Sequence, residues 1–174
     1  FKAHNWEGGH RVPYIVTWPR RLKGGQVRDT FFSLQDLLPT CAELVGDELK
    51  EGEAEDAVSM LPLILDKDAQ SRREFLITQS SYATYAIRKG KWKLIRGTKS
   101  SGGWARPRGK RAVQGEPGQL YDMEVDRYEI NDLYEKMPDV VKELEALLAG
   151  QVGREEVPKK WDKFTGKNEK KNSL

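Results

Sequence analysis

Apolar residues run almost unbroken from Val12 through Pro13, Tyr14, Ile15, Val16 and Thr17 to Trp18, and Pro19 closes the run. A β-branched and aromatic stretch of this kind predicts a short strand buried on both faces, as in a parallel sheet. A polar loop follows over residues 20–28, with Gly24 and Gly25. The spacing then changes. In SLQDLLPTCAELVG, Leu38, Ala42 and Val45 share one helical face, with Cys41 and Leu44 beside it. Pro39 belongs in a first turn, because deeper in a helix it costs roughly 3 kcal/mol. Asp36 is therefore the predicted N-cap and Gly46 the left-handed C-cap, giving a β-loop-α unit.

Residues 47–57 are acidic and weakly patterned, a solvated loop, and Ser59 to Leu65 carry a short apolar turn. EFLIT, Glu74 to Thr78, predicts a strand. Tyr85 to Arg88 and Trp92 to Arg96 flank KGK, a hairpin with Gly90 available for positive φ. Residues 97–119 form a long loop around Trp104, and Gln119 to Met123 return as an edge strand. Pro138 at the first helical position, with Val141, Leu144, Leu147 and Leu148 on one face, predicts a helix that stops near Gly150. After Glu156 no period remains, and the lysine-rich end is expected to be disordered. The class is α/β, becoming α+β in its C-terminal part: the edge of a larger parallel sheet, then a small antiparallel sheet covered by the final helix.

The 174 residues are 37% hydrophobic and 33% charged, enough for one modest domain. The chain opens at Phe1 with no initiator Met and no leader, so its start reads as a cut, either a processed end or the continuation of something longer. The net charge of +3 is too small for a nucleic-acid protein and is local, with Lys159, Lys160, Lys163, Lys167, Lys170 and Lys171 crowding the end. One cysteine, Cys41, excludes an internal disulfide and leaves the compartment open. No apolar run approaches the ~20 residues of a membrane span.

Candidate chemistry gathers in KAHNWEGGHRVP, residues 2–13. Structural roles explain most of it: Gly8 and Gly9 for a tight turn, Glu7 as a cap for backbone amides, His10 as a surface imidazole. A metal site needs about three or four donors, and there is no second His cluster, Cys pair or Asp-rich loop. Cys41 falls on an apolar helical face, where a small buried thiol is expected. No serine sits in a Gly-x-Ser-x-Gly elbow, and SGG at 101–103 is too short for a phosphate loop.

Lys2, followed by EGG at 7–9, RVP and IVTWP, resembles the sulfatase signature K-x-x-x-x-E-G-G-x-R-V-P leading into a core strand that ends in Trp-Pro. Further blocks agree in order: DLLPTCAELVG, DAVSMLPLIL, AIRKGKWKLI, SSGGWARPR and QLYDMEVDRYEINDL. The likeness runs from Lys2 to about Leu148 and is strongest to bacterial arylsulfatases of the formylglycine-dependent type, with an alkaline-phosphatase-like fold. It implies that residues 1–70 end the sulfatase α/β core, that 71–152 form the C-terminal antiparallel-sheet subdomain with its helix, and that 153–174 are a basic tail. It implies hydrolysis of sulfate esters, of aryl alcohols or carbohydrates, with calcium and formylglycine supplied by an upstream catalytic domain and no metal ligand in this chain. The fragment alone is then expected to be inactive. A periplasmic or secreted location is also implied.

By the same resemblance Lys2 reaches the substrate sulfate, where a compact ammonium stabilises sulfate oxygens and the charge on the leaving oxygen. Glu7, Gly8, Gly9 and Arg11 shape the loop that aims it, and His4, at a variable position, is a candidate substrate contact. Trp104 suits stacking on a sugar or aromatic alcohol and equally an aromatic plug over the sheet. Two departures stand out: the usual D-P-G-E-x-x-N-L reads D-R-Y-E-I-N-D-L from Asp126 to Leu133, with Asp132 for Asn, and Ala57 replaces a Gly. A different turn is expected there. The alternative function is a non-catalytic module for sulfated glycans or other polyanions, using Arg88, Lys89, Lys91, Lys93, Arg106, Arg108, Lys110 and Arg111, cations otherwise read as hairpin and loop surface. Specific nucleic-acid binding is not expected, since the tail interleaves few aromatics.

Overall fold

Alternating residues between Phe75 and Asp122 fold into one antiparallel sheet in the computed structural model, which describes residues 4–80, 84–96 and 118–152. Its strands lie in chain order: β1 (Phe75–Gln79), β2 (Tyr85–Lys89), β3 (Trp92–Ile95) and β4 (Gln119–Asp122). The KGK hairpin forms as its pattern predicts, with Gly90 at φ +55°. β4 is an edge strand, yet all four of its residues are buried.

Period two sorts the sheet into two covered faces. Ile87 pairs with Leu94, and Leu94 with Leu120; all three are fully buried beneath Val141, Leu144 and Leu148 of α4 (Pro138–Val152). Lys89 with Glu143 and Arg96 with Glu145 pin the helix at its borders, at 2.7 and 2.9 Å. Gly150 does not end this helix, which continues to Val152. The opposite face carries Ala86, Ile95, Tyr121 and Met123, against which Trp6 packs. The sheet is thus closed on one side by its own following helix and on the other by the N-terminal segment.

That segment contains α1 (Glu7–His10); beyond it come a 3₁₀ turn (Leu34–Asp36), α2 (Leu37–Val45) and α3 (Leu61–Leu65). Asp36 stands at the N-cap of α2 as predicted, but its carboxylate does not cap that helix. It accepts the amides of Ser33 (2.9 Å) and Val58 (3.0 Å) and pairs with Arg73, a buried knot joining the helices to the entry of β1. Gly46 ends α2 at φ +74°, with the amides of Gly46 and Asp47 returning to Glu43 and Ala42.

Two expectations are corrected. Residues 12–18 form no strand, and Ile15 is 85% exposed. A strand meant for burial on both faces needs neighbours on both edges, and no described segment pairs with it. The predicted apolar face of α2 is covered only at Ala42; Leu38, Leu44 and Val45 are exposed, and Cys41 is exposed instead of buried. Trp104, most of the long loop, the cations at 106–111 and the tail from 153 lie outside the described residues. No described helix is long and apolar enough to cross a membrane.

Candidate functional site

The EGG signature forms a single helical turn, α1, in which Gly9 N–H donates to the Trp6 carbonyl (2.7 Å) and Arg11 N–H to the Glu7 carbonyl (2.9 Å). Gly9 is required for a close approach, not for positive φ: a Cβ there would meet the His4 carbonyl and lie 2.8 Å from the His4 N and C atoms. Three successive side chains fasten the turn to the sheet. Asn5, 1% exposed, donates from Nδ2 to the Thr84 carbonyl (2.6 Å) and accepts from Thr78 Oγ1 (3.3 Å). Trp6 donates its indole N–H to Gln119 Oε1 (3.0 Å), which also accepts the Tyr121 hydroxyl (2.6 Å). Burial, then the nearby Asp132 carboxylate, pushes the Tyr121 phenol up to about 12, so it remains a donor.

Glu7 makes the third attachment. Its carboxylate accepts from Lys93 Nζ at 2.8 Å, while the same ammonium donates to Glu129 Oε1 at 2.6 Å. Glu129 Oε2 accepts the Glu7 backbone N–H at 2.7 Å, closing a ring of three residues from distant parts of the chain. Burial alone would raise the Glu7 carboxyl, but Lys93, by charge and by hydrogen bond, with help from His10 and Arg88, brings it below its ordinary value. His10 sits over this group, its Nε2 3.1 Å from the Asn5 carbonyl and 3.3 Å from Lys93 Nζ. Since a carbonyl only accepts, the tautomer protonated at Nε2 is assigned, and Lys93 then acts on the ring through charge. Burial and that ammonium lower the His10 pKa against the opposing pull of Glu7, the Asn5 carbonyl and Glu129.

The turn carrying Glu129 differs from a Pro-Gly turn, as its sequence predicts. Asp126 accepts the amides of Ile130 (2.9 Å) and Asn131 (2.7 Å), and Glu129 adopts φ +55°. Asp132, in place of Asn, accepts the amides of Leu120 and Tyr134. Between this turn and α1 opens a cleft of about 550 Å³, walled by Trp6, Glu7 and Arg11 on the first segment and Arg127, Tyr128 and Glu129 on the second.

Of the residues singled out in the sequence, Glu7, Gly8, Gly9 and Arg11 lie together at this cleft or turn. His4 is buried and stacked on Trp6, with ring centroids 5.5 Å apart. Lys2 lies outside the described residues. Two expectations change: Glu7 does not cap amides with its carboxylate, and Lys93 is no surface cation but 2% exposed. Lys93 and Glu129 were not legible as a pair, although the shared strand face of Lys93, Ile95 and Tyr121 marks an inward position. Among the described residues no three His, Cys, Asp or Glu side chains form a metal-binding group. Glu7 and Glu129 are engaged by Lys93, and Cys41 is followed by Ala42, Glu43 and Leu44; these residues fit neither calcium nor a formylglycine precursor motif.

No protein-family profile matches the chain. An N-acetylgalactosamine-6-O-sulfatase of Bacteroides thetaiotaomicron is 34% identical over 147 residues, 84% of this chain and 28% of that protein. Human steryl-sulfatase is 41% identical over 87 residues, 50% of this chain and 15% of that protein. Among solved structures, a 6S-sulf protein from a glycosaminoglycan-metabolising locus of B. thetaiotaomicron superposes with TM-score 0.72 at 32% identity, covering 86% of this chain and 30% of that one. The PsFucS1 sulfatase of Pseudoalteromonas sp. gives 0.64 at 25% identity, with 86% and 32% covered. The chain therefore spans less than a third of the length of each of these relatives. Matching sequence and matching fold over most of its residues make this chain a member of the sulfatase family, its partial span fitting a C-terminal portion of such an enzyme.

Proposed function

We propose that the chain is the C-terminal part of an enzyme hydrolysing sulfate esters, with sulfated carbohydrate as the substrate class and Lys2 as its contribution to the reacting group. The single observation carrying this reading is the EGG turn fastened at three points to the small sheet, within a fold shared with sulfatases. That turn begins five residues after Lys2. The carbohydrate class is supported by the breadth of the match to the N-acetylgalactosamine-6-O-sulfatase, 84% of this chain against 50% for steryl-sulfatase.

Hydrolysis adds water across the S–O bond and releases an alcohol and sulfate. In full-length sulfatases formylglycine supplies the nucleophile and calcium offsets the charge of the sulfate. In this reading both come from an upstream domain, and the present chain alone turns nothing over. Lys2 holds sulfate oxygens and stabilises negative charge as the S–O bond lengthens. The exposed apolar side chains of Ile15 and Val16, and those of Leu38, Leu44 and Val45 on α2, support packing against that upstream domain. Work in the periplasm or outside the cell follows from the same reading.

The binding-module alternative loses support where its cations are described. Lys89 pairs with Glu143, Lys91 with Asp122 and Lys93 with two carboxylates, while Arg88 lies over the Phe31 ring. The test is turnover of 4-nitrophenyl sulfate and of a 6-O-sulfated N-acetylhexosamine by the full-length, formylglycine-matured protein, with Lys2→Met beside it. Turnover that falls at least a hundredfold in Lys2→Met is expected. A matured, folded protein with no activity on either sulfate ester would overturn the proposal.

A further inference from the structure

Arg11 and Arg127 line the cleft between α1 and the 126–131 turn, and among the described residues neither guanidinium has a hydrogen bond or an ion pair. The arginines along the sheet are engaged: Arg73 by Asp36, Arg96 by Glu145, and Arg88 over the Phe31 ring. Charge in the cleft favours an anion. Glu7 and Glu129, which also line it, exceed Lys93 by one negative charge, and the two guanidiniums turn that into one positive charge. Both walls are fixed in advance. Asn5, Trp6 and Glu7 fasten the first to the sheet, and Asp126 braces the second by accepting the amides of Ile130 and Asn131. Lys93 joins them, reaching Glu7 on one wall at 2.8 Å and Glu129 on the other at 2.6 Å, so the buried ammonium sets the width of the opening. A ligand entering here has little backbone left to order. Arg127 and Tyr128 are also the two residues that stand where the usual turn has Pro-Gly. They place a charge and a ring on a fixed turn, with Tyr128 86% exposed.

We propose that this cleft is a binding site for one acidic sugar unit of a glycan, with Arg11 and Arg127 holding its sulfate or carboxylate group. The planar fork of a guanidinium matches two oxygens of either group. Glu7 supplies the complementary acceptor: Oε1 is taken by Lys93, while Oε2 has no bond among the described residues and can receive a sugar hydroxyl. Tyr128 offers an aromatic surface to the ring of the sugar. The volume of about 550 Å³ lies within the roughly 300–1,000 Å³ of small-molecule clefts. An acidic peptide segment suits the cleft less well, because its carboxylates meet Glu7 and Glu129 without bringing the hydroxyl donors that a sugar carries. The kind of ligand rests on the sulfated-carbohydrate reading. The place of the site does not, and every residue in it is described.

Amide hydrogen exchange, resolved by peptide, tests this in the full-length protein before conversion of its cysteine to formylglycine, so that ligand binds without turnover. The probes are N-acetylgalactosamine 6-sulfate and glucuronate, with neutral N-acetylgalactosamine as control. At saturation at least one acidic sugar is expected to slow exchange in both segments, 5–11 and 126–131, by threefold or more, and the neutral sugar to leave them unchanged. The acid that responds identifies the group the cleft takes. Arg127→Met and Arg11→Met, both at exposed positions, should each raise the half-protecting concentration at least fivefold. No protection by either acid, equal protection by the neutral sugar, or an unchanged half-protecting concentration in Arg127→Met overturns the proposal. So does finding both segments protected without ligand and unresponsive to either acid, which is the result if another part of the protein fills the cleft. Turnover is read separately: a protein that cleaves no sulfate ester but shows this protection refutes the sulfatase reading and keeps the site, and the reverse pair of results refutes the site alone.

Discussion

Replacing Gly9 with alanine asks whether the EGG turn is held by contact distance. The added Cβ lies 2.8 Å from the N and C atoms of His4 and nearer still to its carbonyl oxygen, all of them backbone and unable to rotate away. Relief requires the turn to open, and Asn5, Trp6 and Glu7 resist because each is bonded to the sheet. The bonds most exposed to this strain are Gly9 N–H to the Trp6 carbonyl and Glu7 N–H to Glu129, both 2.7 Å. Losing the neutral one at about 1 kcal/mol and the charge-assisted one at about 2 kcal/mol gives a destabilisation near 3 kcal/mol. In a domain of this size that lowers Tm by roughly 6–12 °C. Gly90→Ala is the control: Gly90 has φ +55° and open space around it, so alanine there meets only the left-handed backbone penalty of about 1–2 kcal/mol. Thermal unfolding followed by circular dichroism, with amide exchange at Glu7, separates the two. Glu7 exchange rises in Gly9→Ala alone. A Gly9→Ala protein that melts no earlier than Gly90→Ala, with Glu7 still protected, would refute the close-approach argument.

Leu144 is 1% exposed between α4 and the sheet, so Leu144→Ala should cost about 2–5 kcal/mol, read as an earlier denaturant midpoint with intact α4 helicity in the folded baseline. Trp6→Phe keeps the ring but loses the indole donor to Gln119, a change of about 1 kcal/mol in urea unfolding. Acid should destabilise the chain in two stages of one sign. His10, whose folded pKa is lowered by burial and Lys93, gains its proton first in the unfolded state, so stability falls as pH drops from about 6.5 towards its folded value. Glu7, whose folded pKa is lowered, adds stability above its unfolded value near 4.3, lost as pH falls through the folded one. Tm measured from pH 7.5 to 3.5 should decline throughout, and His10→Gln should flatten the upper part; a Tm rising between pH 7 and 5.5 would contradict the His10 assignment, and one rising between pH 4.5 and 3.5 the Glu7 assignment.

What was legible in the sequence was what neighbours along the chain decide. The hairpin around Gly90 and the buried face of α4 rest on local period, and both form near their predicted limits. Residues 12–18 failed because a strand's partners are not written within it: the run states a need for cover without supplying the cover, and Ile15 stands exposed. Lys93 failed for the opposite reason. Between Trp92 and Leu94 in a hairpin rich in cations it reads as solvated, and its burial depends on carboxylates 86 positions before it and 36 after. The resemblance pointed to the turn at Glu7, Gly8 and Gly9 but not to what holds it. Gly9 proves to be fixed by the proximity of His4, which only three-dimensional closure reveals.

The two coverings of the sheet differ in when they become available during synthesis. The helix follows its strands directly, whereas Glu7 leaves the ribosome 122 positions ahead of Glu129. At about 5–20 residues per second the early turn waits roughly 6–24 s for its seat to exist. Throughout that interval the indole of Trp6 and the apolar run behind it are open to the crowded cell, and a segment made well ahead of the sheet is among the last to lock. Chaperone demand on this part of the nascent protein should therefore centre on residues 5–18 and end when β4 and the turn after it emerge.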